Sequence, residues 1–339
     1  MTMGEPEVVA KRIVGLPVID AIGAGLFAAL IGWTLLVGQI TERDPLPMAV
    51  LVAVTGGTAF LARHLTRYSN VVVPKLLLGT LVGAVIVSWP AGIHPHFGLT
   101  GYANANGALY VIGVGAAGLI MLRTSPSWRR YAAAGAGLFL AALPAIFGSD
   151  AASGAGLVVL ATIGFLLIRR GDPPRALIPI SAAVAVLVLV GTVVAGLVYS
   201  GDGEGDGGWR LTERRLVLWS ESAQMLIDNP VTGVGPGAFG DLSPTALRDR
   251  DARWAHHAPL QVGAETGVIG LTLLLGVLVW AFVWLYRGSA RRGSALATVV
   301  LALSLAHASI DFVWHHPAVT VALAAVIGAG ATAGAPSPD

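Results

Sequence analysis

Two adjacent histidines, His256 and His257, stand just ahead of a long apolar run in the stretch WAHHAPLQVGAETGVIG. Histidine ionises near neutrality, so either ring can take a proton from a hydroxyl without an unusual environment. Arg210, Arg214 and Arg215 precede them in the same part of the chain. A guanidinium presents a planar fork of donors suited to phosphate, and two or three at one surface make an anion site. Each group also has a plainer reading. The histidines can be polar residues at a membrane boundary, and the arginines a solvated helix face partnered by Glu213 and Glu221. Farther on, His307 and Asp311 are spaced i, i+4, which on a helix lets them hydrogen-bond. Asn104 and Asn106 can cap a helix or present amides to a sugar or phosphate. A zinc site is not indicated, because His315 and His316 lie at a separate boundary and no carboxylate-and-histidine spacing falls on one helix face.

The elements that position these groups are set by composition. Hydrophobic residues make up 55% of the 339 residues and charged residues only 12%, with a mean hydropathy of +0.74. A soluble domain carries about a quarter charged residues, so the chain reads as a polytopic membrane protein. It has no cysteine, which excludes disulfides and thiolate chemistry. The pI near 9.1 does not indicate nucleic acid, since the basic residues sit in short loops between apolar runs. Those runs, each long enough to approach the roughly 30 Å of hydrocarbon, predict about ten helices. They fall near 19–40, 47–62, 71–90, 106–122, 131–147, 153–168, 176–199, 267–286, 294–313 and 317–334. Backbone groups in lipid must bond internally, so the expected fold is an all-α membrane bundle.

Arginine fixes the expected orientation. Lys11, Arg12, Arg63, Arg67, Arg123, Arg129, Arg130, Arg169, Arg170, Arg175, Arg287, Arg291 and Arg292 fall in alternate connections, whereas the short opposite loops hold only Arg43. By the positive-inside rule both termini are cytoplasmic and residues 200–266 lie outside. Lys11 and Arg12 lead into a retained first span rather than a cleaved signal peptide. The outer segment is too long for a simple connection. LTERRLVLWSESAQMLIDNP reads as an amphipathic helix ended by Asn229-Pro230, VGPGAFG as a tight turn, and Ser243-Pro244 as a helix start. Four parts are expected: an N-terminal membrane bundle over 1–199, an extracytoplasmic loop over 200–266, C-terminal membrane helices over 267–334 and a tail over 335–339.

RRLVLWSESAQMLIDNPVTGVGPGAFG, followed by HHAPLQVGAETGVIGL, resembles the O-antigen ligase and O-antigen polymerase superfamily. That family shows an arginine four residues before a tryptophan, matched by Arg215 and Trp219. Its glycine turn is matched by Asp228, Pro230, Gly233, Gly235, Gly237 and Phe239. Its histidine motif is matched by His256, Leu260, Gln261, Glu265, Thr266, Gly267 and Gly270. GLTGYANANGAL is similar to the family's glycine-rich lead into an earlier span, with Asn106 at its asparagine, and HASIDFVWHHP to its penultimate-span ending. Two positions depart from the pattern: His257 stands where the family has asparagine, and Ala152 and Ser153 where it often has Ser-Arg.

The resemblance implies a GT-C-like membrane glycosyltransferase that moves glycan from polyprenyl diphosphate to an acceptor hydroxyl on the outer face of the cytoplasmic membrane. The acceptor is a glycan, lipid or protein. No cofactor, metal or nucleotide is implied, because the diphosphate is already an activated leaving group. His256 would be the base and Arg215 would hold the diphosphate, with Arg210, Arg214, Trp219, Asn106, His257 and Glu265 contacting substrate. The competing readings are a membrane transporter, which would carry ionisable groups near the bilayer midplane, and a non-catalytic binder of lipid-linked glycan.

Overall fold

A computed structural model describes residues 18–88, 99–169, 171–199, 210–249, 252–288 and 291–331; the side chains of residues 210–212 and 291 are outside this description. The described residues form helices and connections, with no strand among them. In chain order the helices are α1 (Val18–Ile40), α2 (Leu46–Tyr68), α3 (Val72–Ser88), α4 (Ala103–Arg123), α5 (Trp128–Ile146), α6 (Asp150–Ile168) and α7 (Leu177–Val198). They continue as α8 (Arg210–Asp228), α9 (Phe239–Leu242), α10 (Pro244–Arg248), α11 (Ala258–Arg287), α12 (Arg291–Ala308) and α13 (Pro317–Gly330), with a 3₁₀ turn at Val313–His315.

Every apolar run read from the sequence forms a helix, but the count of ten crossings is not reached by length and apolarity. Among the described residues six helices, α1, α2, α4, α6, α7 and α11, are long and apolar enough to cross a membrane. Helices α3, α12 and α13 are apolar but shorter, and α5 opens on Trp128, Arg129, Arg130 and Tyr131, which dilute its apolarity.

Helix α4 is the axis of the bundle. It is buried on every face from Ala105 to Ile120 and packs against α3, α5, α6, α12 and α13. Its small residues permit this. A Cβ at Gly113 would press on Leu140 and Leu81, and one at Gly115 on Val300. Small residues are the usual means of close helix approach in lipid, where apolar surface gains little by leaving the hydrocarbon. In contrast, α7 keeps Ile180, Leu187, Val194 and Val198 exposed, as a lipid-facing helix should.

Arginines gather at one end of the bundle. Arg123 donates to Asn70 O at 2.6 Å and Ala329 O at 2.7 Å, and Arg292 donates to Arg169 O at 3.0 Å. At the same end Arg63 pairs with buried Asp20, and Trp284 Nε1 donates to Asp20 Oδ1 at 2.7 Å. Asp20 is therefore part of a buried network joining α1, α2 and α11 rather than a simple interfacial residue.

At the opposite end α8, α9 and α10 form a small cap. Helix α8 ends at Asp228, just before Asn229-Pro230, as its sequence predicts. Its Leu218 packs with Phe239, Ala252 and Ala255. Ser243 is the N-cap of α10, accepting from Ala246 N at 3.0 Å, with Pro244 at the first turn.

Candidate functional site

The glycine turn positions the histidines. Gly233, Gly235 and Gly237 all have positive φ, at 64°, 103° and 72°. Val234 N donates to Ala264 O at 2.9 Å and Gly235 N to Glu265 O at 3.0 Å, so the turn is stitched onto the first turns of α11. Gly267 breaks α11 there with φ 71°, and Val268 N donates to Pro230 O at 2.8 Å. Any Cβ at Gly267 would overlap the Val231 carbonyl.

The two histidines then diverge. His257 is the N-cap of α11: its Nδ1 accepts from Leu260 N at 3.1 Å and its Nε2 lies 2.9 Å from Thr192 Oγ1 on α7. It is fully buried, and burial lowers its pKa to about 4. His256 adopts φ 52°, the left-handed region that is uncommon for a residue with a side chain. Its carbonyl accepts from Trp219 Nε1 at 3.2 Å. The ring is thereby turned to Asp311, with Nδ1 3.3 Å from Oδ1, a contact that is off-line for a hydrogen bond and becomes an ion pair only when the ring carries a second proton.

Asp311 is the hub that sequence reasoning under-weighted. Arg215 Nη2 donates to its Oδ2 at 3.1 Å, and Asn104 Nδ2 to the same oxygen at 2.6 Å. Tyr102 OH lies 3.0 Å from Oδ1 and 2.9 Å from Oδ2, and Phe312 N donates to Oδ1 at 2.7 Å. Burial would raise the carboxyl pKa. The close approach of His256 outweighs that, together with the charges of Arg215 and His307, and the pKa falls to about 2. Burial, with the Asp311 charge behind it, pushes the Tyr102 hydroxyl up, so it acts as a donor throughout the neutral range. The i, i+4 hydrogen bond to His307 does not form. Helix α12 ends at Ala308, which takes Asp311 off the helix, and His307 Nε2 has no hydrogen-bond partner.

The remaining expected residues separate. Arg214 turns away from Arg215 and pairs with Asp249, not with Glu213 or Glu221. Glu221 instead caps the cap, accepting from Ser243 Oγ and from Thr245 N at 3.1 Å. Trp219 is buried and holds the His256 backbone, while its ring meets His257 edge-on at 5.6 Å. Asn106 is buried below the hub, its Oδ1 accepting from Thr100 N at 3.1 Å and Thr100 Oγ1 at 2.9 Å. That bond shapes the turn from which Tyr102 and Asn104 reach Asp311. Glu265 is buried in the turn lock, accepting from Gln261 Nε2 at 2.9 Å and facing Phe239 N at 3.4 Å. The Arg210 side chain and Arg250 lie outside the described residues.

The arrangement brings an imidazole and a partly exposed guanidinium onto the two oxygens of one buried carboxylate. Such a set can take a proton at one point and stabilise an anion at another. Among the described residues no group of three or more His, Asp or Glu side chains is placed to hold a metal ion.

Residues 136–275 match the family model described as O-antigen ligase, which supports the superfamily identified from the motifs. No curated protein gives a significant match. The matched segment contains Arg215, Trp219 and His256, whereas Tyr102, Asn104 and Asp311 reach the site from outside it.

Proposed function

From the premise of an O-antigen ligase segment in a multi-pass helical membrane protein, we propose that the chain transfers glycan from polyprenyl diphosphate to a hydroxyl acceptor. The reaction takes place at the cap end, on the outer face of the cytoplasmic membrane. The observation that carries this reading is the shared carboxylate: Asp311 contacts Arg215 through one oxygen and His256 through the other.

His256 takes the acceptor hydroxyl proton through Nε2, since Nδ1 faces Asp311. The acceptor oxygen bonds to the anomeric carbon as the bond from that carbon to the phosphate oxygen breaks. The diphosphate departs with the bonding pair, and Arg215 offsets its growing charge. Asp311 orients the imidazole and balances the charge the ring gains, the part a carboxylate plays behind a catalytic histidine in acyl transfer. Trp219 and His257 keep His256 in its strained turn, a positioning role. Asn104 and Tyr102 hold the carboxylate from the far side.

The test is direct. Purified protein supplied with a polyprenyl-diphosphate-linked oligosaccharide and an acceptor should release free polyprenyl diphosphate. A carrier that stays fully glycosylated would mean that the site only binds or moves its ligand.

A further inference from the structure

A cleft of about 370 Å³ opens beside this site and takes no part in the chemistry above. It runs between α1, α2, α11 and α13, with Val52, Leu278 and Leu323 among its walls. Along α2 its lining extends from Pro47 to Ala59. At 1.5 Å per residue that is a depth of about 18 Å, over half the roughly 30 Å hydrocarbon thickness of a bilayer. Such a space fits a hydrocarbon chain entering from the cap end.

The mouth identifies which lipid. Asp44, Trp254 and His315 line it, and Glu265 stands nearby in the wall. Among the described residues no lysine or arginine lines the cleft. Arg43 and Arg253, on the neighbouring segments, are both turned to Asp241, at 2.8 and 3.9 Å. A diphosphate would therefore meet carboxylates at this mouth and find its cation elsewhere, at Arg215. An uncharged, hydroxyl-rich head suits the same surroundings. Trp254 offers an apolar ring face. His315 Nδ1 and, deeper, Thr55 Oγ1 are buried polar atoms without hydrogen-bond partners.

The mouth also adjoins the proposed base. Trp254 packs at a tilt on His315 with centroids 4.4 Å apart and lies nearly parallel to Phe312 at 6.2 Å, and Phe312 meets the His256 ring edge-on at 4.7 Å. Arg215 joins the cluster through the other oxygen of Asp311. The cleft mouth and Arg215 thus reach His256 through different neighbours, Phe312 and Asp311.

We propose that this cleft is the acceptor site: it holds the hydrocarbon chain of a lipid-anchored acceptor whose uncharged, hydroxyl-bearing head rests against Trp254 and His315. The assignment to an acceptor rests on the glycosyl-transfer reading, and its test is a binding measurement that needs no turnover.

The probe is hexadecyl glucoside carrying a diazirine in its chain, photolysed with the full-length protein in phosphatidylcholine nanodiscs. Adducts should map to the cleft-lining peptides of α2, α11 and α13. Excess unlabelled hexadecyl glucoside should reduce them at least tenfold, and equimolar polyprenyl phosphate by less than twofold. Blocking the cleft supplies a second arm. Thr55→Cys is unique in this cysteine-free chain and can be capped with a dodecyl methanethiosulfonate. The cap should abolish labelling, and reductant should restore it, which separates blockage from misfolding. Labelling spread over all lipid-facing helices, or displacement by polyprenyl phosphate but not by glucoside, overturns the proposal. Failure of the catalytic reading would show separately, as absence of diphosphate release with the cleft still labelled.

Discussion

Oδ1 of Asp311 lies 3.3 Å from Nδ1 of His256, and its Oδ2 accepts from Arg215 at 3.1 Å. One carboxylate thus couples the two groups assigned to proton removal and to the leaving group. Asp311→Asn keeps the size but loses the charge, and should lower turnover about a hundredfold or more, the scale of losing a correctly held base. Donor KM should change little if Asp311 acts through His256. Initial rates over a range of donor concentrations separate the two, and a rise in KM with kcat intact would mean that Asp311 serves binding alone.

The two neighbouring arginines should behave differently. Arg215 reaches the hub, whereas Arg214 is spent on Asp249. Arg215→Ala should cost about 1.5–3 kcal/mol of transition-state stabilisation, roughly ten- to hundredfold in rate. Arg214→Ala should stay within about threefold, and Arg215→Lys should rescue only in part because an ammonium lacks the forked geometry. Equal losses at both positions would indicate a diffuse positive field.

His256 and His257 split in the same way. His256→Ala should lower turnover by about 10² to 10⁴. His257→Asn should retain most activity, since asparagine is a favoured N-cap and its side-chain oxygen can accept from Leu260 N. Activity lost in His257→Asn and kept in His256→Ala would reverse the assignment.

Stability should respond to pH through the buried rings. His257 and His315 are both lowered to about 4 by burial. Between the unfolded value near 6.5 and about 4, the unfolded chain binds protons that the folded chain does not. Stability should therefore fall as pH drops through that window and level off below it. Asp311, depressed to about 2, adds its own loss only below about pH 4. Tm measured in detergent from pH 8 to 4 should decline by several degrees, with a shallower slope in His257→Asn. A slope unchanged by that substitution would show that the ring is not buried in its neutral form.

Topology can be read by labelling. Ser243, in the middle of the cap, is fully buried and would not report. Leu247 is 67% exposed in the same segment. In the cysteine-free chain, Leu247→Cys should react with a membrane-impermeant thiol reagent in intact cells. Labelling only after lysis would invert the orientation.

The helical nature of the apolar runs, the amphipathic helix ending at Asp228 and the Ser243 cap were legible in the sequence because each is a local pattern of hydropathy or capping; the number of crossings was not. Arg215 and His256 were singled out only through the resemblance to the O-antigen ligase and polymerase superfamily, whose arginine-to-tryptophan register Arg215 and Trp219 match. Asp311 was misread because i, i+4 spacing presumes a continuing helix, and α12 stops three residues earlier. The distinct fates of His256 and His257 depend on one left-handed residue that no hydropathy pattern records. The cleft was invisible for a different reason: its walls come from helices more than two hundred residues apart.

That separation has a consequence for biogenesis. Helix α1 packs on α11, with Trp33 Nε1 donating to Thr266 O at 2.8 Å and Trp280 Nε1 to Ile19 O at 2.7 Å. At about 5–20 residues per second, a ribosome needs roughly 10–50 s to make the chain between these partners. Asp20 and Arg63, which pair in the folded protein, lie on α1 and α2, the first hairpin, so each has its partner as soon as that hairpin is made. The charge of one helix is thus neutralised by its immediate successor, and the hairpin can remain inserted until Trp284 arrives to complete the joint.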